Sequence, residues 1–429
     1  MKYIQLILLF VTFSISISCN RHTDKQVTNS KDYNQYLDLS SNSRLSAIKS
    51  DYNFWKNKLS ETPNQFPYNV KLAAANSKIF QLTGTISHLK NAEQNLIKAN
   101  EKTSYNNASY LRSLARNYIS QHRFKEALTF LKKAESNGEN LKRTHFMLID
   151  VHLELGNHQK VTQYLSKVKN FKDFDYLIRL SKYNDHFGNL DNAIQYLEDA
   201  LIIAKASKNQ DLIQWNYTNL ADYYGHAGRI EDSYNAYLKA LAINPNNSYA
   251  KKGIAWIVFS HERNPEEALR ILNTVTKENA SPDYHLLKAE IADYVGNIEE
   301  KENQINSYLS KVSNKDYGVM YHKYSVLLFS EDNKKEAIHL AKQEVAERPT
   351  AQSYDLLAWA YYKNGNYKEA LKLTEQYVLD NTFEPEALLH SAYILKANGK
   401  QNIANELKEE LLGAIYELGP NAASEIKNI

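Results

Sequence analysis

The sequence predicts an all-α fold in which about ten helix hairpins stack into one extended array. The chain has 429 residues but holds only 13 glycines and 8 prolines, and a shortage of helix breakers favours long helices over turn-dense β structure. The phrase YGHAGRIEDSYNAYLKALAINP at 224–245 returns in similar form as YYKNGNYKEALKLTEQYV at 361–378. Such an array grows by adding units, so a chain of this length needs no large single core.

The overall composition excludes some classes of partner. Hydrophobic residues make up 43% and charged residues 24% of the chain, which is ordinary for a globular protein. The 52 basic and 49 acidic side chains leave a net charge of +3. This balance gives no reason to expect nucleic acid as a partner.

Residues 1–19 have the pattern of an export signal. Lys2 precedes an apolar run from Ile4 to Ile17, and small residues follow it. The run is shorter than the ~20 residues that a membrane-spanning helix needs. We therefore expect residues 1–19 to form no part of the fold.

Cys19 is the only cysteine, so a disulfide within the chain is excluded. Its position after Ser-Ile-Ser resembles the lipobox of bacterial lipoproteins, although Ser16 stands where Leu is usual. The resemblance implies that Cys19 carries a lipid anchor and that the protein is exported to a membrane, on the periplasmic face or at the surface of the outer membrane. The alternative is a plain secretory signal with an incidental cysteine.

The rest of the chain divides by composition. Residues 20–42 are polar and predict a flexible tether. Residues 43–419 hold the array, and residues 420–429 remain as a C-terminal tail. Residues 44–62 resemble a lone second helix that caps the start of the array.

Candidate turns between paired helices recur roughly every 35 residues. They fall at Gly84, His122, Gly156, Gly188, Gly228, Arg263, Gly296, Asp332, Gly365 and Gly399. Around two of them the pairs Leu220-Ala221 and Leu357-Ala358 each precede a tyrosine by three residues. These features resemble the tetratricopeptide repeat, which implies a right-handed superhelical solenoid with a concave inner face.

Small residues are expected where helix axes approach each other most closely. One such position recurs near the start of the second helix, as Ala127, Ala193, Ser233, Ala268, Ala337, Ala370 and Ala404. Lys301 replaces the small residue in one unit and predicts looser packing there. Pro245 and Pro349 end units where the resemblance expects proline.

The chain shows no motif for catalysis, a cofactor or a metal. His145, His152 and His158 come nearest to a cluster, but HExxH, GxxxxGK[ST], GxGxxG after a strand and GxSxG are all missing. We therefore expect a protein that is not an enzyme.

The resemblance implies that inward-facing residues of each first helix bind other proteins or peptides. The resulting candidates are Arg112, Arg116, Asp222, Asp355, Trp359, Tyr362 and Tyr393, with Phe146, Asp150, Lys182, Asp185 and Thr218 as further positions in mid-array. Arg112 and Arg116 do not reproduce the Lys and Asn pair by which one subset of the family grips C-terminal carboxylates.

Two functions follow from these expectations. The first is a lipid-anchored scaffold that organises proteins at a bacterial cell envelope. The second is a surface lipoprotein that captures glycans or peptides. The near-constant spacing leaves no room for the long irregular loops that build sugar sites in lipoproteins of the second kind, so the scaffold is preferred.

Overall fold

The computed structural model describes residues 26–38 and 42–429, and within them every regular element is a helix. The predicted signal at 1–19 and the lipidation site Cys19 lie outside the described residues. The expected all-α solenoid of helix hairpins is confirmed.

Ten consecutive hairpins, numbered 1 to 10, form the array. In each of them a first helix is followed by an antiparallel second helix. Their bounds are α3 Pro67–Thr83 and α4 Ile86–Lys102; α5 Ala108–Ser120 and α6 Phe124–Asn137; α7 Leu141–Glu154 and α8 His158–Lys167; α9 Phe174–His186 and α10 Leu190–Ser207; α11 Gln210–His226 and α12 Ile230–Ile243; α13 Ser248–Trp256 and α14 Pro265–Val275; α15 Asp283–Tyr294 and α16 Ile298–Val312; α17 His322–Asp332 and α18 Lys334–Glu347; α19 Ala351–Lys363 and α20 Tyr367–Leu373; α21 Pro385–Ala397 and α22 Gln401–Leu412.

Four further helices flank the hairpins: α1 Ser30–Leu37, α2 Ser43–Glu61, α23 Ile415–Leu418 and α24 Ala422–Lys427. A π-helical turn at Ile257–His261 continues α13, and another at Thr374–Val378 continues α20. A short 3₁₀ turn, Lys315–Tyr317, lies between hairpins 7 and 8.

The turns between paired helices lie where the sequence places them. Nine of the ten expected turn residues have a positive φ, including the non-glycines His122 at 58° and Arg263 at 57°. Glycine adopts this left-handed conformation at no steric cost and commonly ends helices with it. The tenth, Asp332, is the last residue of α17, and Asn333 with φ −125° makes the turn instead.

The small-residue positions are fully buried between helices. Ala127, Ala193, Ser233, Ala268, Ala337, Ala370 and Ala404 all have 0% exposure. Where Lys301 stands instead, α16 buries only Tyr308, and Lys301 forms an ion pair with Asp293 at 2.9 Å. The looser packing expected in hairpin 7 agrees with this observation.

Successive turns of the superhelix touch each other in a regular register. The tip of hairpin 1 accepts a hydrogen bond at the Thr83 carbonyl from the Ala280 amide (2.7 Å), after hairpin 6. Gly156 at the tip of hairpin 3 lies against Pro349, and Gly188 of hairpin 4 lies against Phe383. In each case the tip of hairpin n contacts the connection that follows hairpin n + 5.

Part of the expected tether, residues 26–38, is folded. The helix α1 lies on the second helices of hairpins 5 and 6, with Tyr33 and Leu37 buried. The Tyr33 hydroxyl donates to Glu267 at 2.6 Å. The expectation of a tether through 20–42 is therefore wrong over this part, because two apolar side chains in a polar segment meet a matching surface.

The expected C-terminal tail at 420–429 is also folded. Ile426 in α24 is completely buried, and it belongs to a core cluster with Leu411 of α22. The segment from Gly413 to Ile429, called the C-terminal segment below, turns back towards the inside of the superhelix.

Candidate binding site on the concave face

The first helices of hairpins 1 to 4 line an open groove on the concave face. Its volume is about 650 Å³. From α5 it is lined by Ser109, Arg112, Ser113, Arg116 and Ser120, which share one helix face because they lie three, four or seven residues apart. We call this the N-terminal groove.

Arg112, a predicted site residue, lies in the groove wall and is buried. Its guanidinium donates to the Glu139 carbonyl at 2.8 Å and to the Thr144 hydroxyl at 3.2 Å. Burial lowers the pKa of this guanidinium. Arg112 thus joins hairpin 2 to hairpin 3, and much of its donor capacity is used inside the protein.

Arg116 and two cations that the sequence reasoning missed are exposed in the N-terminal groove. These are Lys78 of α3 and Arg143 of α7. None of the three forms an ion pair with any residue in 26–38 or 42–429. Their charges therefore face the groove without an internal counter-ion in the described part of the chain.

A fifth cation of the groove, Arg179 of α9, is held in place. It donates to the Asp150 carboxylate at 2.7 Å and to the Phe146 carbonyl at 2.9 Å, and it lies 4.7 Å from the centre of the Phe146 ring. The predicted positions Phe146 and Asp150 therefore anchor Arg179 at the end of the groove.

The sequence signal for this basic groove lies in the first two hairpins. The segments of α3 and α5, PYNVKLAAANSKIFQLT and ASYLRSLARNYIS, contain four basic residues and no carboxylate. Among the described residues that line the groove, only Asp175 is acidic, and its backbone and side chain both contact Arg179. The lining of the groove is thus more positive than the nearly neutral chain as a whole.

The concave face of hairpins 5 to 7 is filled by the C-terminal segment. The Tyr416 carbonyl accepts from the Trp256 indole (3.1 Å) and the Ser260 hydroxyl (2.6 Å). The Asn421 amide donates to the Glu290 carbonyl at 2.9 Å, and the Tyr416 ring lies against Gly225. The protein covers this part of its own inner surface.

Three predicted aromatic residues form one cluster in hairpins 9 and 10. Trp359 stacks 4.1 Å from the His390 ring and 5.0 Å from the Tyr362 ring, and Tyr393 lies at its edge. The Tyr393 hydroxyl donates to the Glu425 carbonyl of α24 at 2.7 Å. These rings pack on each other and on the C-terminal segment.

Asp355 was expected to face the groove, but it is only 4% exposed. It bonds to Nδ1 of His390 at 2.9 Å. Burial alone would lower the pKa of His390, but the Asp355 carboxylate outweighs burial and raises it. Asp355 is therefore a partner of His390 inside the protein, and the expectation of an exposed carboxylate is wrong.

Two further predicted positions, Asp222 and Lys182, contact neighbouring hairpins, whereas the Thr218 hydroxyl donates to the Trp215 carbonyl of its own helix. Asp222 accepts from the Tyr249 hydroxyl at 2.6 Å and from Tyr237, and burial raises its pKa. Lys182 donates to Glu154 at 2.7 Å. The structure thus brings together Arg112 and Arg116 in one groove, the three aromatic rings in a second place, and Asp222 in a third.

The described residues contain no group of three or more His, Cys, Asp or Glu side chains that could hold a metal ion. Over residues 26–38 and 42–429, no helix is both long and apolar enough to cross a membrane.

Two parts of the chain match models of the tetratricopeptide repeat. The first match covers residues 226–291, from the turn of hairpin 5 through its second helix and hairpin 6 into the first helix of hairpin 7. The second covers residues 350–376 in hairpin 9. These two segments are similar to tetratricopeptide repeats. No curated protein matches the chain.

Several solved structures resemble the fold. The crystal structure of yeast Tom70 is 13% identical, covers 89% of this chain and 90% of its own, and has a TM-score of 0.36. That of the Cut9–Hcn1 hetero-tetramer of APC/C is 15% identical with 89% and 93% coverage and a TM-score of 0.35. A tetratricopeptide repeat protein from Parabacteroides merdae is 18% identical with 59% and 96% coverage and a TM-score of 0.34.

Proposed function

We propose that this protein is a non-enzymatic scaffold of the bacterial cell envelope, anchored by a lipid on Cys19, that binds other proteins through its concave face. The tetratricopeptide matches support a role in protein interaction. The anchor and the location are carried by the sequence pattern at residues 1–19.

The open N-terminal groove is the observation that carries the proposal. It is about 650 Å³ in volume and lies on the face that such repeats turn inward. The inner face of hairpins 5 to 7 is already covered by the C-terminal segment. A partner that enters the superhelix would therefore meet the first helices of hairpins 1 to 4.

The docked N-terminus sets where the proposed anchor would hold the array. The Glu262 carboxylate accepts from the Val27 amide at 2.8 Å and from the Thr28 hydroxyl at 2.9 Å. Seven residues, 20–26, separate Val27 from Cys19, and an extended chain of that length spans at most ~25 Å. The proposed anchor would thus keep the second helices of hairpins 5 and 6 close to the membrane.

Crosslinking on intact cells followed by affinity purification tests the scaffold. Recovery of a defined set of envelope proteins at constant ratios is expected. Recovery of none, together with glycan binding by the purified protein, would support the alternative of a surface ligand-binding lipoprotein and overturn the scaffold.

Labelling with a clickable fatty acid tests the anchor separately. The wild-type protein should take up the label and Cys19→Ala should not, because the thiol is the site to which the lipid would be attached. A Cys19→Ala protein that is still labelled would remove the lipoprotein assignment while leaving the binding role intact.

A further inference from the structure

We propose that the N-terminal groove binds an extended, acidic segment of a partner protein. This inference rests on the proposed scaffold function and names the chemistry of the segment that the groove would accept. The groove is an open part of the concave face, and five of the six charged residues that line it are cations.

The cations are placed on successive first helices. Lys78 lies on α3, Arg116 on α5 and Arg143 on α7, and all three are exposed. Packed helices are separated by about 8–10 Å, which equals roughly three residues of an extended chain. A segment in the extended polyproline II conformation, with three residues per turn and a rise of ~3.1 Å per residue, keeps every third side chain on one face. With a carboxylate at every third residue, it would therefore meet one cation on each helix.

The wall behind these three cations is held in place by hydrogen bonds. Arg112 is fixed by the Glu139 carbonyl and Thr144, and Arg179 by the Phe146 carbonyl and Asp150. The nearby carboxylates of Glu139, Asp150 and Asp175 offset the charges of these two guanidinium groups, which therefore support the groove without being the direct contacts. Lys78, Arg116 and Arg143 are therefore the residues that contact the carboxylates of the bound segment directly.

The uncharged lining favours a polypeptide over a purely charged polymer. The Ser113 and Ser120 hydroxyls donate to the Ser109 and Arg116 carbonyls one turn earlier. Their oxygen lone pairs are left to accept from backbone amides, which a polypeptide supplies. Two partly exposed apolar side chains, Val70 and Phe80, also line the groove, and they match the apolar residues of a mixed segment.

Fluorescence anisotropy with a labelled peptide tests the inference. The probe is a twelve-residue peptide with Glu at every third position and Leu and Ser between, and its comparison peptide has Gln in place of each Glu. At low ionic strength the protein should bind the Glu probe about tenfold more tightly than the Gln probe, because only the Glu probe offers carboxylates to the three exposed cations. Added salt should reduce the difference.

A matched pair of triple variants locates the site. Lys78→Ala/Arg116→Ala/Arg143→Ala should lose about tenfold in affinity for the Glu probe and little for the Gln probe. Lys98→Ala/Lys132→Ala/Lys172→Ala removes three exposed cations outside the groove and should bind as the wild type does. Circular dichroism checks that both remain folded.

Three results would overturn the inference: equal binding of the Glu and Gln probes, equal loss in both triple variants, or tighter binding of labelled dextran sulfate than of the Glu probe, which would indicate a polysaccharide site. Repeating the cell crosslinking with the groove variant separates the two proposals. If the envelope complex is recovered undiminished, the groove assignment fails while the scaffold stands.

Discussion

The Trp256 indole donates a hydrogen bond to the Tyr416 carbonyl, 160 residues later in the chain, over a distance of 3.1 Å. Ser260, one helical turn after Trp256, donates to the same oxygen at 2.6 Å. These bonds join the last part of the chain to the middle of the array. The superhelix is therefore closed on itself by its own C-terminal segment.

Ser260→Ala should loosen this closure. The change removes one of the two donors to the Tyr416 carbonyl and is expected to cost about 1 kcal/mol. Amide hydrogen exchange within residues 414–421 should become faster. Ser330→Ala is the control, because this equally buried serine bonds only to the Val326 carbonyl of its own helix; an equal effect of both changes on residues 414–421 would contradict the assignment.

The left-handed turn positions predict stability changes of opposite sign. Gly228→Ala should cost about 1 kcal/mol, because φ at this position is 71° and no contact within 4 Å would offset the strain. Arg263→Gly should stabilise by up to ~1 kcal/mol, because Arg263 holds the same conformation at 57° with a side chain.

Urea denaturation measures both turn variants. Gly413→Ala is the control, since Gly413 has an ordinary helical φ of −75°. If Gly228→Ala and Gly413→Ala change the free energy of unfolding equally, the positive φ at position 228 is not the reason why glycine stabilises that turn.

The buried alanines predict a strict size limit. Ala221→Leu and Ala370→Leu should each destabilise by ~1–3 kcal/mol, because both side chains are fully buried where helices meet. Ala206→Leu adds the same atoms to an exposed position of α10 and should change little. A thermal melt in which all three behave alike would show that the helices can separate to admit the larger side chain.

The local features of the fold were predictable from sequence because they depend on neighbouring residues. Turn glycines and small residues act within one hairpin or between adjacent ones, and both patterns were found where expected. The packing of α1 was not predictable, because this helix contacts residues more than 200 positions later in the chain. The packing of α24 was not predictable, because this helix follows the last hairpin but lacks the repeat pattern.

The site was predictable only in part for a related reason. A position within a repeat indicates that a side chain points inward, as for Arg116, but not whether the interior is already occupied there. Asp355 and Tyr393 point inward, but Asp355 forms a hydrogen bond with His390, and the Tyr393 hydroxyl donates to the C-terminal segment. The absence of carboxylates from α3 and α5 was the signal that could have added Lys78 to the candidates.

Glu262 predicts how the N-terminal segment is held. Its carboxylate accepts from Val27 and Thr28, so Glu262→Ala should release residues 26–29 and speed amide exchange through α1. Glu266→Ala is the control, because Glu266 follows on the exposed side of α14. Unchanged exchange in the Glu262 variant would mean that the buried Tyr33 and Leu37 suffice to dock the helix.

Glu290 predicts a loss of stability as the pH rises from about 4.5 to about 8. Burial, followed by the charges of Asp293, Glu386 and Glu425, raises its pKa from 4.5 to about 8. The folded protein thus holds a proton that the unfolded chain releases above about pH 4.5. Its contribution to stability is complete below that value and is lost progressively as the pH rises through about 8.

Glu290→Gln should therefore melt like the wild type near pH 4.5 and at a higher temperature above about pH 8, because glutamine cannot ionise against the neighbouring carboxylates.

Glu93→Gln provides the opposite case. Burial opposes ionisation of Glu93, but hydrogen bonds from Lys90, Gln121 and Arg123 outweigh it and lower its pKa. That variant should be less stable than the wild type at neutral pH, with the difference disappearing in acid, and parallel pH profiles for the two variants would refute the assigned pKa shifts.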